Sequence, residues 1–125
     1  MLKLYVLIME SLTEGQQAVQ AGHALAQFAS DHPERFEDWQ SDSNTLIYLN
    51  VRDIDYWQTI LEDGEMEHSV FHEPDLYTWS EWSSSRGLDT AIAVAPNWAC
   101  QYVLFKDLPL AFQPKSPERK WWRRG

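Results

Sequence analysis

Glu14 to Phe28 reads EGQQAVQAGHALAQF. From Gly15 to Ser30 the chain carries no Asp, Glu, Lys or Arg, although 23% of all residues are charged. The residues in front of it, Ser11-Leu12-Thr13-Glu14-Gly15-Gln16, offer two capping boxes, Ser11 with Glu14 and Thr13 with Gln16. A helix is therefore expected from about Glu14 to Asp31. On a wheel of about 100° per residue, Ala18, Ala21, Gly22, Leu25, Phe28 and Ala29 form one side. Gln16, Gln20, His23 and Gln27 form a narrow stripe almost opposite. The small residues predict close packing on a sheet. The glutamine and histidine stripe offers neutral hydrogen-bonding groups to a ligand, to a protein contact or to water.

The neighbouring segments place that helix in an α/β chain. Leu2 to Met9 reads as a buried strand, short and almost wholly apolar. Pro33 opens a second helix ending near Ser41, with Glu34 at its positive end. Asn44 to Val51 reads as a strand. Asp53 caps a third helix with Ile54, Trp57, Ile60 and Leu61 on one face, and Gly64 stops it. His68 to Glu73 and Asp89 to Pro96 read as strands, and residues 74–88 between them as a loop or hairpin extension. Asn97 to Phe105 suits helix and strand alike. The order β-α-α-β-α-β-β implies a sheet with helices on both faces. One domain over residues 1–112 and a flexible tail over 113–125 follow.

Composition narrows the function. Cys100 is the only cysteine, so no intramolecular disulfide and no cysteine metal cluster are expected, and a reducing, cytoplasmic setting fits. No stretch approaches the ~20 apolar residues of a membrane-spanning helix. Residues 1–114 hold 5 basic and 18 acidic side chains, whereas residues 115–125 hold 5 basic and 1 acidic. The acidic body opposes a nucleic-acid backbone over about a Debye length, ~8 Å at physiological salt. The tail, with Lys120, Trp121, Trp122, Arg123 and Arg124, mixes cations with aromatics as single-strand binders do. It suits equally a contact with the acidic body or with a second subunit.

The residues Gly15, Ala18, Gln20, His23 and Ala24, in register after a strand, resemble the first motif of the type 2 peptidyl-tRNA hydrolases, roughly G-K-x-A-A-Q-x-x-H-A. Asp75 follows a strand where that family has its acid. Thr90-Ala91-Ile92-Ala93-Val94-Ala95-Pro96 is similar to the family's closing strand, with Thr90 at its threonine. The resemblance covers residues 2–96. It implies a three-layer α/β/α fold with a four-stranded mixed sheet, and hydrolysis of the ester between a peptide or acyl group and the 3′ end of tRNA. By resemblance the catalytic group is Asp75, His23, Thr90 and Gln16, with Gln20 binding substrate. The family's motif lysine falls at Gln16 and the basic residue before its glycine at Glu14.

Ester hydrolysis needs a positioned water and a donor for the carbonyl oxygen. Asp75 or His23 would serve the water, Gln16 and the first helical N–H groups the oxyanion. Trp79 and Trp82, directly after Asp75, would stack on a base or cover the sheet. Lys120 and Arg123 are the tail's candidate contacts to tRNA. Pro74 and Asp75 also suit an ordinary strand end and turn. His72 and Asp75 find no third ligand, so neither metal nor cofactor is expected. The alternative is a binding module of the same fold that has weakened chemistry, holding a nucleotide, a small acyl ligand or a basic protein partner. A homodimer is the other expected assembly.

Overall fold

A computed structural model of the chain describes residues 1–74 and 87–113. The elements run β1 (Leu4–Met9), α1 (Glu14–Asp31), α2 (Pro33–Ser41), β2 (Leu46–Val51), α3 (Ile54–Asp63), β3 (His68–Glu73) and β4 (Leu88–Val94). A π-helical turn, Cys100–Leu104, follows, so the segment that suited helix and strand alike is helical. The four strands form one sheet in the order β2-β1-β4-β3. β1 and β2 are parallel, and β4 runs antiparallel to both β1 and β3. The result is the expected α/β architecture, a mixed sheet with one reversed strand.

Strand alternation divides the core into two layers. Leu4, Val6 and Ile8 of β1 and Ala91 and Ala93 of β4 face α1, where they meet Ala21, Ala24 and Phe28. Tyr5, Leu7, Ile92 and Val94 face the other way, against Ile54 and Leu61 of α3 and against Cys100 and Phe105. Phe28 is fully buried, and burial of such a side chain contributes about 1.5–3 kcal/mol. The alanines of β4 let α1 approach the sheet. The outer edge of β2 is covered by residues 109–111: the Asn50 N–H donates to the Pro109 carbonyl at 2.9 Å and the Ala111 N–H to Tyr48 at 2.9 Å. This pairing blunts an edge that would otherwise template association.

The caps follow the sequence. Thr13 and Gln16 close a reciprocal capping box at the start of α1, which selects Thr13 over Ser11 as the cap. Asp53 Oδ1 accepts from the Tyr56 N–H at 3.1 Å at the start of α3.

The face that α1 buries differs from the expected one. Gln17, Gln20, Ala21, Ala24 and Phe28 are buried, whereas Ala18 and Gly22 are exposed. The buried face is centred about 80° around the helix from the side marked by small residues. Two glutamines turn inward because each finds partners there. Gln17 Nε2 donates to the Leu12 carbonyl at 2.9 Å, and its Oε1 accepts from Asn50 Nδ2 at 2.7 Å. Gln17 thus ties the loop between β1 and α1 to the end of β2.

Candidate functional site

The C-terminal ends of β1, β2 and β3 and the N-terminus of α1 share one edge of the sheet, the usual place for ligands in open α/β sheets. Gln20, almost fully enclosed at 1% exposure, reaches across this edge. Its Oε1 accepts from Thr90 Oγ1 at 2.6 Å, and its Nε2 donates to Glu73 Oε2 at 3.1 Å. A hydrogen-bond chain therefore runs from β4 through α1 to the end of β3. Both polar atoms of the Gln20 amide are engaged, and the buried Thr90 hydroxyl has its acceptor.

An irregularity in the sheet brings Thr90 into this chain. Phe71 pairs with Ala91 but His72 pairs with Asp89, so Thr90 is an extra residue in β4. By plain alternation it would join Ile92 and Val94 on the face away from α1. The bulge re-aims it, and its hydroxyl meets α1 instead. Along β3, alternate residues face the helix: Ser69 Oγ donates to Asp31 Oδ2 at 2.7 Å, the Phe71 ring stacks on His23, and Glu73 accepts from Gln20. The His23 and Phe71 ring centroids lie 4.6 Å apart at 16°. His23 is exposed, so one face of its ring is held by Phe71 while the imidazole edge reaches water.

On the opposite side of β3, His72 Nδ1 and Asp89 Oδ1 lie 2.7 Å apart. Gly87 leads back into β4 with φ +80°, and a Cβ there would meet the Glu73 carbonyl, His72 Nε2 at 2.7 Å and Pro74 Cα at 2.9 Å. Glycine is needed at this point for both its conformation and its size.

Of the residues singled out by sequence, Gln20, Thr90 and His23 gather on this edge. Gln16 sits at the first turn of α1, where its Oε1 accepts from the Thr13 N–H at 3.0 Å as part of the capping box. Asp75, Trp79, Trp82, Lys120 and Arg123 lie outside the described residues. Glu73 is the site residue that the sequence reading did not select. Its signal was available: in β3 it shares a face with Ser69 and Phe71, two residues before Asp75. Among the described residues, no three His, Cys, Asp or Glu side chains converge as a metal site, and no helix is long and apolar enough to cross a membrane.

The arrangement is a carboxylate held by a buried amide and hydroxyl, on the face of β3 where Phe71 stacks on the exposed His23 imidazole. Such a set can orient a water, accept its proton and donate to a developing oxyanion. No family model matches this chain, and no curated protein sequence does either.

Proposed function

We propose that the chain is a peptidyl-tRNA hydrolase-like enzyme that cleaves the ester between an acyl or peptide group and the 3′ end of tRNA, in a reducing, cytoplasmic compartment. The observation that carries this reading is the hydrogen-bond chain from Thr90 through Gln20 to Glu73 at the sheet edge. Glu73, with Asp75 two residues on, supplies the carboxylate that takes a proton from the attacking water. Backbone N–H groups of the first turn of α1 stabilise the carbonyl oxygen, and His23 orients the acyl group or its leaving ribose. Thr90 is a positioning residue, because its buried hydroxyl acts through Gln20.

The test is release of the blocked amino acid from N-acetylated aminoacyl-tRNA. Turnover that falls at least tenfold in Glu73→Gln and in Asp75→Ala supports the reading. Folded protein without turnover refutes it.

One observation favours a second reading, a binding module with weakened chemistry. Gln16 stands at the motif lysine, and its carbonyl is tied into the helix cap. A neutral amide is a poorer oxyanion donor than an ammonium, and loss of one good donor costs about 10²–10³ in rate. Retained binding of the blocked aminoacyl-tRNA end without hydrolysis would identify this case.

A further inference from the structure

We propose a second binding site, for a small amphiphilic anion, in the groove between β1, β2 and the Cys100–Leu108 stretch. Lys3 and Lys106 hold its acidic group there. This groove lies on the sheet face opposite α1, so the proposal is independent of the hydrolase reading.

The charge distribution leads to it. Among the described residues there are four lysines and arginines. Two are paired: Arg35 with Glu67 at 3.6 Å and Arg52 with Glu10 at 3.3 Å. The other two, Lys3 and Lys106, come from opposite ends of the domain and line one groove of about 490 Å³. No residue lining that groove is acidic, in a body that holds 18 carboxylates over residues 1–114. Neighbouring clefts mix the two signs, Arg35 with Asp38 and Asp42 in one and Arg52 with Glu10 and Asp53 in another. Neither lysine has a carboxylate partner among the described residues.

Tyr5 supplies an independent pointer. It is 9% exposed and lines the same groove, yet its hydroxyl has no hydrogen-bond partner among the described residues. Among the described residues no fully enclosed side-chain nitrogen or oxygen lacks a partner, so this hydroxyl keeps some exposure, on a residue that lines the groove. Burial, then the neighbouring Tyr102 and Cys100, push the Tyr5 phenol above its ordinary pKa, so it remains a donor. The Gln101 Oε1 accepts from the Lys3 N–H at 2.8 Å, which leaves the Gln101 amide N–H groups as further donors. Lysine, tyrosine and amide donors thus line one groove without a carboxylate, while Ile47, Leu49, Phe105 and Leu110 provide apolar walls. The size falls within the ~300–1,000 Å³ of ordinary ligand sites. A carboxylate or phosphate on a short apolar body fits this chemistry.

The experiment is an NMR titration of the full ¹⁵N-labelled chain with octanoate, octyl phosphate and 1-octanol. Both anions are expected to shift the amides of residues 101–108, with 1-octanol at least tenfold weaker. The preferred headgroup separates a carboxylate ligand from a phosphate one. Lys3→Met with Lys106→Met keeps the apolar stems and is expected to weaken the anions at least tenfold while leaving 1-octanol unchanged. Tyr5→Phe is expected to weaken them severalfold. Equal binding of octanol and octanoate, or unchanged binding in the folded double variant, overturns the proposal. Should that variant fail to fold, the wild type decides: anion affinity must fall between 20 and 500 mM NaCl while that of octanol does not, and a salt-independent anion affinity overturns it.

Discussion

The hydrogen-bond chain at the sheet edge makes a quantitative prediction through a double-mutant cycle on Gln20 and Thr90. Gln20→Leu keeps the bulk of the side chain but leaves the Thr90 hydroxyl, fully buried, with no acceptor. Thr90→Val is nearly isosteric and leaves the Gln20 carbonyl unsatisfied in an enclosed position. A buried polar group stripped of its partner costs about 1–3 kcal/mol, whereas removal of both partners together is close to neutral. Each single variant should therefore lose about 1–3 kcal/mol. The double variant should lose less than the worse single one, which gives a coupling of at least about 1 kcal/mol. The contact from Gln20 Nε2 to Glu73 is lost in both backgrounds and cancels in the cycle. Urea unfolding with an unchanged m-value measures these terms. Thermal midpoints should move by roughly 4 °C per kcal/mol at this chain length. Losses that add to within about 0.5 kcal/mol would mean that Thr90 and Gln20 do not act as a unit, and the positioning role would fall with them.

Three further outcomes follow from particular contacts. Gly87→Ala places a Cβ against the Glu73 carbonyl at positive φ, so urea unfolding should show a loss of about 1–3 kcal/mol, and the proposed acyl-tRNA hydrolysis should fall as Glu73 moves; an unchanged stability would refute the close approach. The Asp31 carboxyl lies below its ordinary pKa, first because Ser69 Oγ donates to it and then because Gln27 does. Its stabilising contribution is thus present above the unfolded pKa and is lost as pH falls through the folded one. Ser69→Ala should raise the Asp31 pKa in a carboxyl NMR titration, and the variant's stability deficit should shrink in acid. Burial pushes the Cys100 thiol up to about 11, so 5,5′-dithiobis(2-nitrobenzoic acid) at pH 8 should label it only when urea opens the core; rapid labelling of native protein would contradict its placement.

Local chemistry carried much of the fold. Thr13 and Gln16 announced the start of α1, Pro33 the start of α2, and Asp53 with Gly64 the limits of α3. The apolar runs announced β1 and β4, but their division into two core layers was seen only in the sheet. The candidate site was partly legible: Gln20 and His23 stand out in an uncharged helix, and Thr90 was reached through the family resemblance of its strand.

What the sequence could not decide was the rotation of α1. Counting apolar residues placed Ala18 and Gly22 inside and Gln20 outside, because hydropathy assigns an amide to water. The tertiary structure reverses this, since Asn50, Glu73 and Thr90, all far along the chain, offer the buried glutamines partners that water would otherwise supply. The bulge that turns Thr90 toward α1 depends on the register between β3 and β4, which no single strand contains. The convergence of Lys3 and Lys106 is of the same kind. Helix caps and strand parity are properties of a few consecutive residues, whereas the satisfaction of a buried amide and the gathering of two charges depend on which distant segments the fold brings together.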